Sequence, residues 1–313
     1  MSTLRKFIDK SNIDADIAFD EPMAAHTTFR IGGPADAFVR PRSTAALSTL
    51  LTAAHAEGIP IAVIGGGANI LVADRGLRGI VVSTELLRAS RLLAGTEAGG
   101  TLYAEAGLPV VDLVRLALQH GLSGLEFAAG LPGSLGGAVY MNARCYEKEF
   151  ADVMSRVDYL EPGTWAQASM GIERELWSYK RTPFMPGGSL HGAIVTGARL
   201  ELRPGEPKEI ASRMAELEAD RAKKGHFDLP CAGSLFKNNH DFGRPTGRIL
   251  DELGFRGKRV GDAMVSLKHA NIFVNAGHAS AADMLTLIGE AKAAARLAYD
   301  IELETEVVML GNF

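Results

Sequence analysis

The sequence has little cysteine: Cys145 and Cys231 are the only two among 313 residues. No pair has zinc-ligand spacing and nothing forms a disulfide framework, so a reducing cytoplasm fits best. A marked charge of either sign is missing too. Lys and Arg total 33 against 37 Asp and Glu, a formal net charge of −4, which implies no general attraction to nucleic acid or to an acidic membrane. Any anionic ligand must be held locally. No apolar run reaches membrane-spanning length, and Met1 to Ile8 lacks the apolar core of a signal peptide.

Two phosphate-binding signatures are absent as well, although one stretch invites them. An apolar run from Pro60 to Ile64 leads into Gly65-Gly66-Gly67-Ala68-Asn69, followed by Ile70-Leu71-Val72. A Walker loop would end in Gly-Lys-Ser/Thr, and a Rossmann fingerprint would open a helix. Here the glycines are followed by strand-like residues, so the pattern is strand, glycine loop, strand. Three successive residues without Cβ let backbone N–H groups converge and let a ligand approach the main chain, which suits a diphosphate. The plain alternative is a tight turn in a sheet.

What is present otherwise fits a globular protein of about two or three domains, with 47% apolar and 22% charged residues. Residues 1–25 read as a short helix and an irregular lead-in. Alternation at Phe29 and Ile31 predicts a strand and Gly32-Gly33-Pro34 a turn, with Ala37 to Val39 a second strand. Arg30 reads as a surface cation on spacing alone. Ser43 caps a helix with Leu47, Leu50, Leu51 and Ala54 on one face, ended by Gly58. Ile80 to Val82 is a further strand, closing a βαβ-like module.

The next module has strands near Arg91 to Leu93 and Leu102 to Ala106, then a helix from Val110 to His120 stopped by Gly121. From Leu125 to Val139 nearly every residue is small, with Phe127, Leu131, Leu135 and Val139 interleaved. A flexible linker would be polar, so this stretch reads as main chain packed against a flat ligand. Val153 to Leu160 and Ala193 to Leu202 are strands. Between them Lys180 and Arg181 sit among Trp177, Tyr179 and Phe184, an anion site or an exposed loop with snorkelling side chains.

A third module starts near Pro204. Ile210, Met214 and Leu217 mark one helix face, and Arg221, Lys223 and Lys224 fill its last turn before Gly225, where cations suit the dipole. Ser234 has no Gly-x-Ser-x-Gly frame, which leaves a proton donor or a turn residue rather than a hydrolase nucleophile. Ile272 to Val274 is a strand, and Ser280 with Asp283 resembles a capping box for an alanine-rich helix. The stretch from Ile301 to Leu310 alternates into a strand with Glu302, Glu304 and Glu306 on one face, which reads as solvated.

Seven segments in this order, Thr28–Ala35, Gly65–Val72, Gly124–Ala143, Tyr179–Phe184, Ala232–Asn238, Val265–Asn275 and Leu303–Val307, together resemble the UDP-N-acetylenolpyruvoylglucosamine reductase family. The resemblance implies an α+β protein: a two-subdomain FAD-binding fold of the vanillyl-alcohol-oxidase type plus a C-terminal α+β substrate domain. The expected boundaries are 1–83 and 84–203 for the two FAD-binding subdomains, 204–300 for substrate binding, and 301–313 for a strand returning to the FAD-binding part. The implied activity is reduction of UDP-N-acetylglucosamine enolpyruvate to UDP-N-acetylmuramate in peptidoglycan precursor synthesis. FAD would be bound non-covalently, with NADPH as reductant, in the cytoplasm, with no nucleic-acid or membrane partner.

By position, Arg30, Gly65, Gly66, Gly67, Ala68, Asn69, Ile70, Gly130, Pro132, Gly133, Ser134, Gly136 and Gly137 would hold the cofactor. Ser234 would be the proton donor, and protonated Glu306 would donate a hydrogen bond to the substrate carboxylate. The family pattern Tyr-Arg-x-Ser-x-Phe is altered here: Tyr179 and Phe184 keep their spacing, but Lys180 stands where the arginine belongs and Arg181 follows it. Lysine brings charge without the planar fork. Lys180 is the expected cation for the developing enolate, with Arg181 as fallback. Tyr179, Arg181, Lys224, Lys237 and Asn238 would contact substrate. Arg144-Cys145 replaces the family's usual Gly-Ala, and Asn239 its usual proline. No Tyr lies between Leu202 and Ser234, as in the subclass without a tyrosine-bearing insertion. Two other readings use the same fold: a different flavin oxidoreductase, and a nucleotide-binding homologue without turnover, which Lys180 favours.

Overall fold

Ser43 opens the first long helix as its spacing demands. Its hydroxyl accepts from the Ala46 amide at 3.1 Å, and Leu47, Leu50, Leu51 and Ala54 of the helix Thr44–Ala56 are fully buried. The structure, a computed structural model, describes residues 3–96 and 99–313. Met1 and Ser2, part of the N-terminal reading, lie outside the described residues. The chain forms two compact units: Met1–Phe19, Ala37–Gly66 and Gly79–Glu218 in one, and Asp20–Asp36, Gly67–Arg78 and Ala219–Phe313 in the other.

The first unit has two cores. In one, the helix Thr44–Ala56 covers Ala37, Val39, Ile80 and Val82. Ile61–Ile64 and Leu77–Ser83 pair in parallel there, Ile61 opposite Ile80. Ala37 to Val39 falls within the strand Pro34–Pro41, as expected. The other core lies under an antiparallel sheet ordered Gln167–Gly171, Met154–Leu160, Ile194–Pro204, Gly99–Glu105 and Ser90–Thr96. The helix Val110–Gln119 buries Val110, Leu113, Val114 and Ala117 against it, and Gly121 stops the helix at φ +62°.

In the second unit, Cys231–Ser234, Ile272–Asn275, Ala263–Val265 and Arg259–Val260 form an antiparallel sheet in that order. The helix Ala281–Tyr299 packs Met284, Leu287, Ile288, Ala291 and Ala295 into its core. The expected Ser280 and Asp283 capping box is present. The Asp74 carboxylate adds to it, accepting from the Ala281 and Ala282 amides at 2.7 and 3.0 Å, where an anion suits the positive helix end. Val308–Leu310 runs parallel to Ile70–Val72, with Val308 opposite Ile70. No helix among the described residues is long and apolar enough to cross a membrane.

Three expectations need correction. After the first helix the lead-in is not irregular, since Ala15–Pro22 is a strand at the edge of a sheet beside Pro34–Pro41. Thr27 to Gly33 is not a strand. The Thr27 hydroxyl donates to the Ile31 carbonyl at 3.0 Å and accepts its amide at 3.2 Å, and Arg30 adopts φ +56°. Phe29 and Ile31 are both buried, so their alternation reports a turn with two anchors in the core. Residues 301–307 are also not a continuous strand. Thr305 forms an isolated bridge with Phe236, and only Val308–Leu310 is regular. Glu302 pairs with Arg296 and Glu304 with Lys237, while Leu303 and Val307 fill the core between them.

Candidate functional site

In the first unit, the strand Ile61–Ile64 delivers Gly65 and Gly66 to the segment that precedes the helix Leu135–Tyr140. The Gly66 amide donates to the buried Ser134 hydroxyl at 3.2 Å. A Cβ on Gly65 would come 2.3 Å from that hydroxyl, and one on Gly66 would come 2.7 Å from Gly133 Cα. The missing side chains let these two stretches of chain approach each other closely. Gly136 follows the same rule, with Ala106 Cβ at 2.8 Å from its would-be Cβ. Gly66 and Pro132 are exposed, and Gly130, Gly133, Gly136 and Gly137 are half-buried.

In the second unit, Gly67 sits at φ +63° with the His26 carbonyl 1.9 Å from its would-be Cβ, so any side chain there forces the main chain to move. The Gly67 carbonyl accepts from the Thr28 amide at 3.0 Å, two residues from the exposed Arg30. Ala68 and Asn69 follow, half-buried. Asn69 Nδ2 donates to the Glu306 carbonyl, and the Asn69 carbonyl accepts from the Val308 amide, both at 3.0 Å. Ile70 begins the strand that pairs with Val308–Leu310.

Glu306 is also joined to the segment after Ser234. Its amide donates to the Leu235 carbonyl at 2.8 Å, and the Lys237 amide donates to the Glu304 carbonyl at 2.9 Å. Ser234 and Glu306, both half-buried, thus stand on adjacent antiparallel segments. Asn271 braces this pair: its side chain accepts from the Phe236 amide at 3.0 Å and donates to the Phe236 carbonyl at 2.8 Å. The Asn238 side chain accepts the Thr246 amide at 2.9 Å, and Lys237 Nζ pairs with Glu304.

Lys224 pairs with Asp220 at 2.6 Å on the last helical turn. Just past it, burial pushes His226 down to about 4, helped by Arg221, His269 and Lys224. Burial lowers His269 as well, ahead of Lys224 and Arg256, and its Nδ1 accepts the Asn271 amide at 3.1 Å, which puts the neutral ring's proton on Nε2. Burial raises the Cys231 thiol, which keeps it protonated near neutrality and a poor nucleophile.

The aromatic segment of the first unit is a tight turn rather than an open loop. Ser178 and Arg181 exchange two backbone hydrogen bonds of 3.0 and 3.1 Å, and Lys180 between them takes φ +54°. Trp177 and Phe184 anchor it in the core, Tyr179 and Lys180 are half-buried, and Arg181 is exposed. Lys180 Nζ lies 5.8 Å from the Tyr179 ring centroid. The fully buried Asn142 holds the turn, donating to the Ser178 carbonyl at 3.2 Å.

Residues 65–70 and 130–137 carry no carboxylate and offer main chain, the Ser134 hydroxyl and the Asn69 amide, a polar, uncharged set that fits the diphosphate of a dinucleotide. Residues 35–164 match the family model of an FAD binding domain, and residues 225–310 match that of the UDP-N-acetylenolpyruvoylglucosamine reductase C-terminal domain. The reductase of that name from Syntrophus aciditrophicus is 37% identical, covering 97% of this chain and 95% of its own. The chain belongs to the UDP-N-acetylenolpyruvoylglucosamine reductase family. The family's protein from Agathobacter rectalis is 40% identical over 94% of each chain. The crystal structure of the Thermus caldophilus reductase superposes with a TM-score of 0.75 at 33% identity, covering 96% of this chain and all of the other.

Proposed function

We propose that this protein reduces UDP-N-acetylglucosamine enolpyruvate to UDP-N-acetylmuramate at the expense of NADPH. FAD, when bound, supplies hydride chemistry between the two substrates. Gly65, Gly66, Gly67, Ala68, Asn69 and Ile70 hold its diphosphate along their main chain, with Arg30 as the nearby cation, and Gly130, Pro132, Gly133, Ser134, Gly136 and Gly137 line it. In this reading residues 1–83 and 84–203 are FAD-binding subdomains, 204–300 bind substrate, and 301–313 return to the cofactor part. The enzyme works in the cytoplasm on a small nucleotide sugar.

The chemistry assigns the remaining roles. Hydride arriving at the terminal alkene carbon leaves negative charge on the neighbouring carbon, which spreads into the attached carboxylate. Lys180 stabilises that charge electrostatically. Ser234 donates a proton to the carbon and recovers one from solvent. Glu306 in its acid form donates a hydrogen bond to the carboxylate. Tyr179, Arg181, Lys224, Lys237 and Asn238 position the anionic substrate.

The observation that carries this reading is the pairing of the Ser234 segment with Glu306 through the Leu235 carbonyl at 2.8 Å. It supports a shared task for an otherwise unremarked serine and a glutamate distant in sequence. The test is NADPH oxidation by the purified flavoprotein with and without the enolpyruvyl substrate. Substrate-dependent oxidation is expected, with turnover lowered about 10²- to 10⁴-fold in Ser234→Ala while NADPH still bleaches the flavin. Oxygen consumption without a need for the enolpyruvyl group would sink the proposal.

A further inference from the structure

Arg144 opens the short hairpin strand Arg144–Cys145, which pairs with Lys148–Glu149. Its guanidinium carbon lies 5.7 Å from the centroid of the Tyr179 ring, the same ring that Lys180 Nζ approaches at 5.8 Å. Two cations thus converge on one phenol. Arg144 is half-buried, and no carboxylate among the described residues lies within ion-pair distance of it. A ring quadrupole offsets only part of the hydration that a half-buried guanidinium gives up. A bound anion would offset the rest.

The arrangement is also braced. Asn142, two residues before Arg144, accepts the Ala151 amide at 3.0 Å on the hairpin side and donates to the Ser178 carbonyl on the turn side. The Thr182 hydroxyl donates to the Tyr140 carbonyl at 2.9 Å, tying the same two segments again. These hydrogen bonds fix the hairpin and the turn to each other, so that Arg144 and Lys180 are both held near the Tyr179 ring.

We infer that Arg144 is a substrate-binding residue that grips the carboxylate of the enolpyruvyl group, with Lys180 as its companion charge. This rests on the function proposed above and adds a residue to it. Lysine is a compact point charge, whereas a guanidinium offers a planar fork that matches both oxygens of a carboxylate. Arg144 supplies the planar fork that position 180 lacks, held 5.7 Å from the Tyr179 ring centroid. Arg181 is not placed for this, since its side chain is exposed beyond the turn.

The experiment compares two ligands on one variant of the flavin-loaded enzyme, followed by flavin absorbance. UDP-N-acetylmuramate carries the carboxylate, and UDP-N-acetylglucosamine lacks it. Arg144→Ala is expected to weaken the first by about 10- to 100-fold and the second by less than about twofold, with Arg144→Lys recovering part of the loss. Because both ligands are measured on the same protein, a general folding defect cannot create the difference. Equal weakening of both ligands, or of neither, overturns the inference. Failure of the wild type to reduce the enolpyruvyl substrate would instead overturn the function it rests on, a separate measurement.

Discussion

The side-chain amide of Asn69 donates to the backbone carbonyl of Glu306 across 237 positions of sequence, and the Asn69 carbonyl takes the Val308 amide in return. One residue at the end of the glycine loop therefore sets where the Glu306 main chain lies. Asn69→Ala is expected to destabilise the protein by about 1 kcal/mol in urea unfolding and to lower turnover as well. Asn69→Asp should do the same, because a carboxylate has no N–H to give. Equal stability in both variants would show that this bond contributes nothing.

Gly66→Ala puts a Cβ 2.7 Å from Gly133 Cα, and backbone cannot step aside as a side chain can. It should purify with clearly less flavin, read as the flavin-to-protein absorbance ratio. Gly58→Ala is the control: Gly58 has φ +62° but nothing within 4 Å of its would-be Cβ. It should lose about 1 kcal/mol of stability and keep its flavin.

Lys180→Ala should lower kcat/KM by about 10²- to 10³-fold with flavin content unchanged. Arg181→Ala, at an exposed side chain that helps position the anionic substrate, should raise KM by about two- to fivefold and leave kcat unchanged. The reverse outcome would transfer the role to Arg181.

His226, held down to about 4 from an ordinary 6.5, gives stability a defined pH slope. Between those values the unfolded chain takes a proton that the folded one refuses, so stability is fully present above 6.5 and is lost as pH falls toward 4. His269, lowered for the same first reason, adds to the slope. The urea midpoint should drop between about pH 7.5 and about pH 5, and His226→Gln should make the drop shallower. An unchanged slope would assign the acid sensitivity to other groups.

Where local chemistry alone decides the structure, it was legible. The Ser43 cap, the Ser280 and Asp283 box and the Gly121 stop all act within one helical turn, and the helices Thr44–Ala56, Ala281–Tyr299 and Val110–Gln119 appear where those signals point. Thr27 to Gly33 misled because burial of Phe29 and Ile31 mimics strand alternation while a single hydroxyl folds the chain into a turn. The interleaving of Asp20–Asp36 and Gly67–Arg78 with the C-terminal unit rests on contacts far apart in sequence, which no local pattern carries.

Candidate site residues divide in the same way. The glycines and the Lys180 segment announce themselves by composition. Asn142 and Asn271 do not, since a buried asparagine that braces two loops looks, in sequence, like any polar residue beside an apolar run. Arg144 was visible only as a departure from the family pattern, and its neighbour Tyr179 lies 35 positions away, too far for any local signal.

Because Ile70–Val72 takes Val308–Leu310 as its parallel neighbour, this stretch of the nascent chain waits for one made 238 positions later. Phe29, Ile31 and Leu71 share a core with Leu303 and Val307, so they lack their final cover until those residues are made. Apolar segments left waiting in this way are what chaperones shield. A ribosome that stalls shortly before residue 303 would leave that unit unable to close, whatever the state of the other.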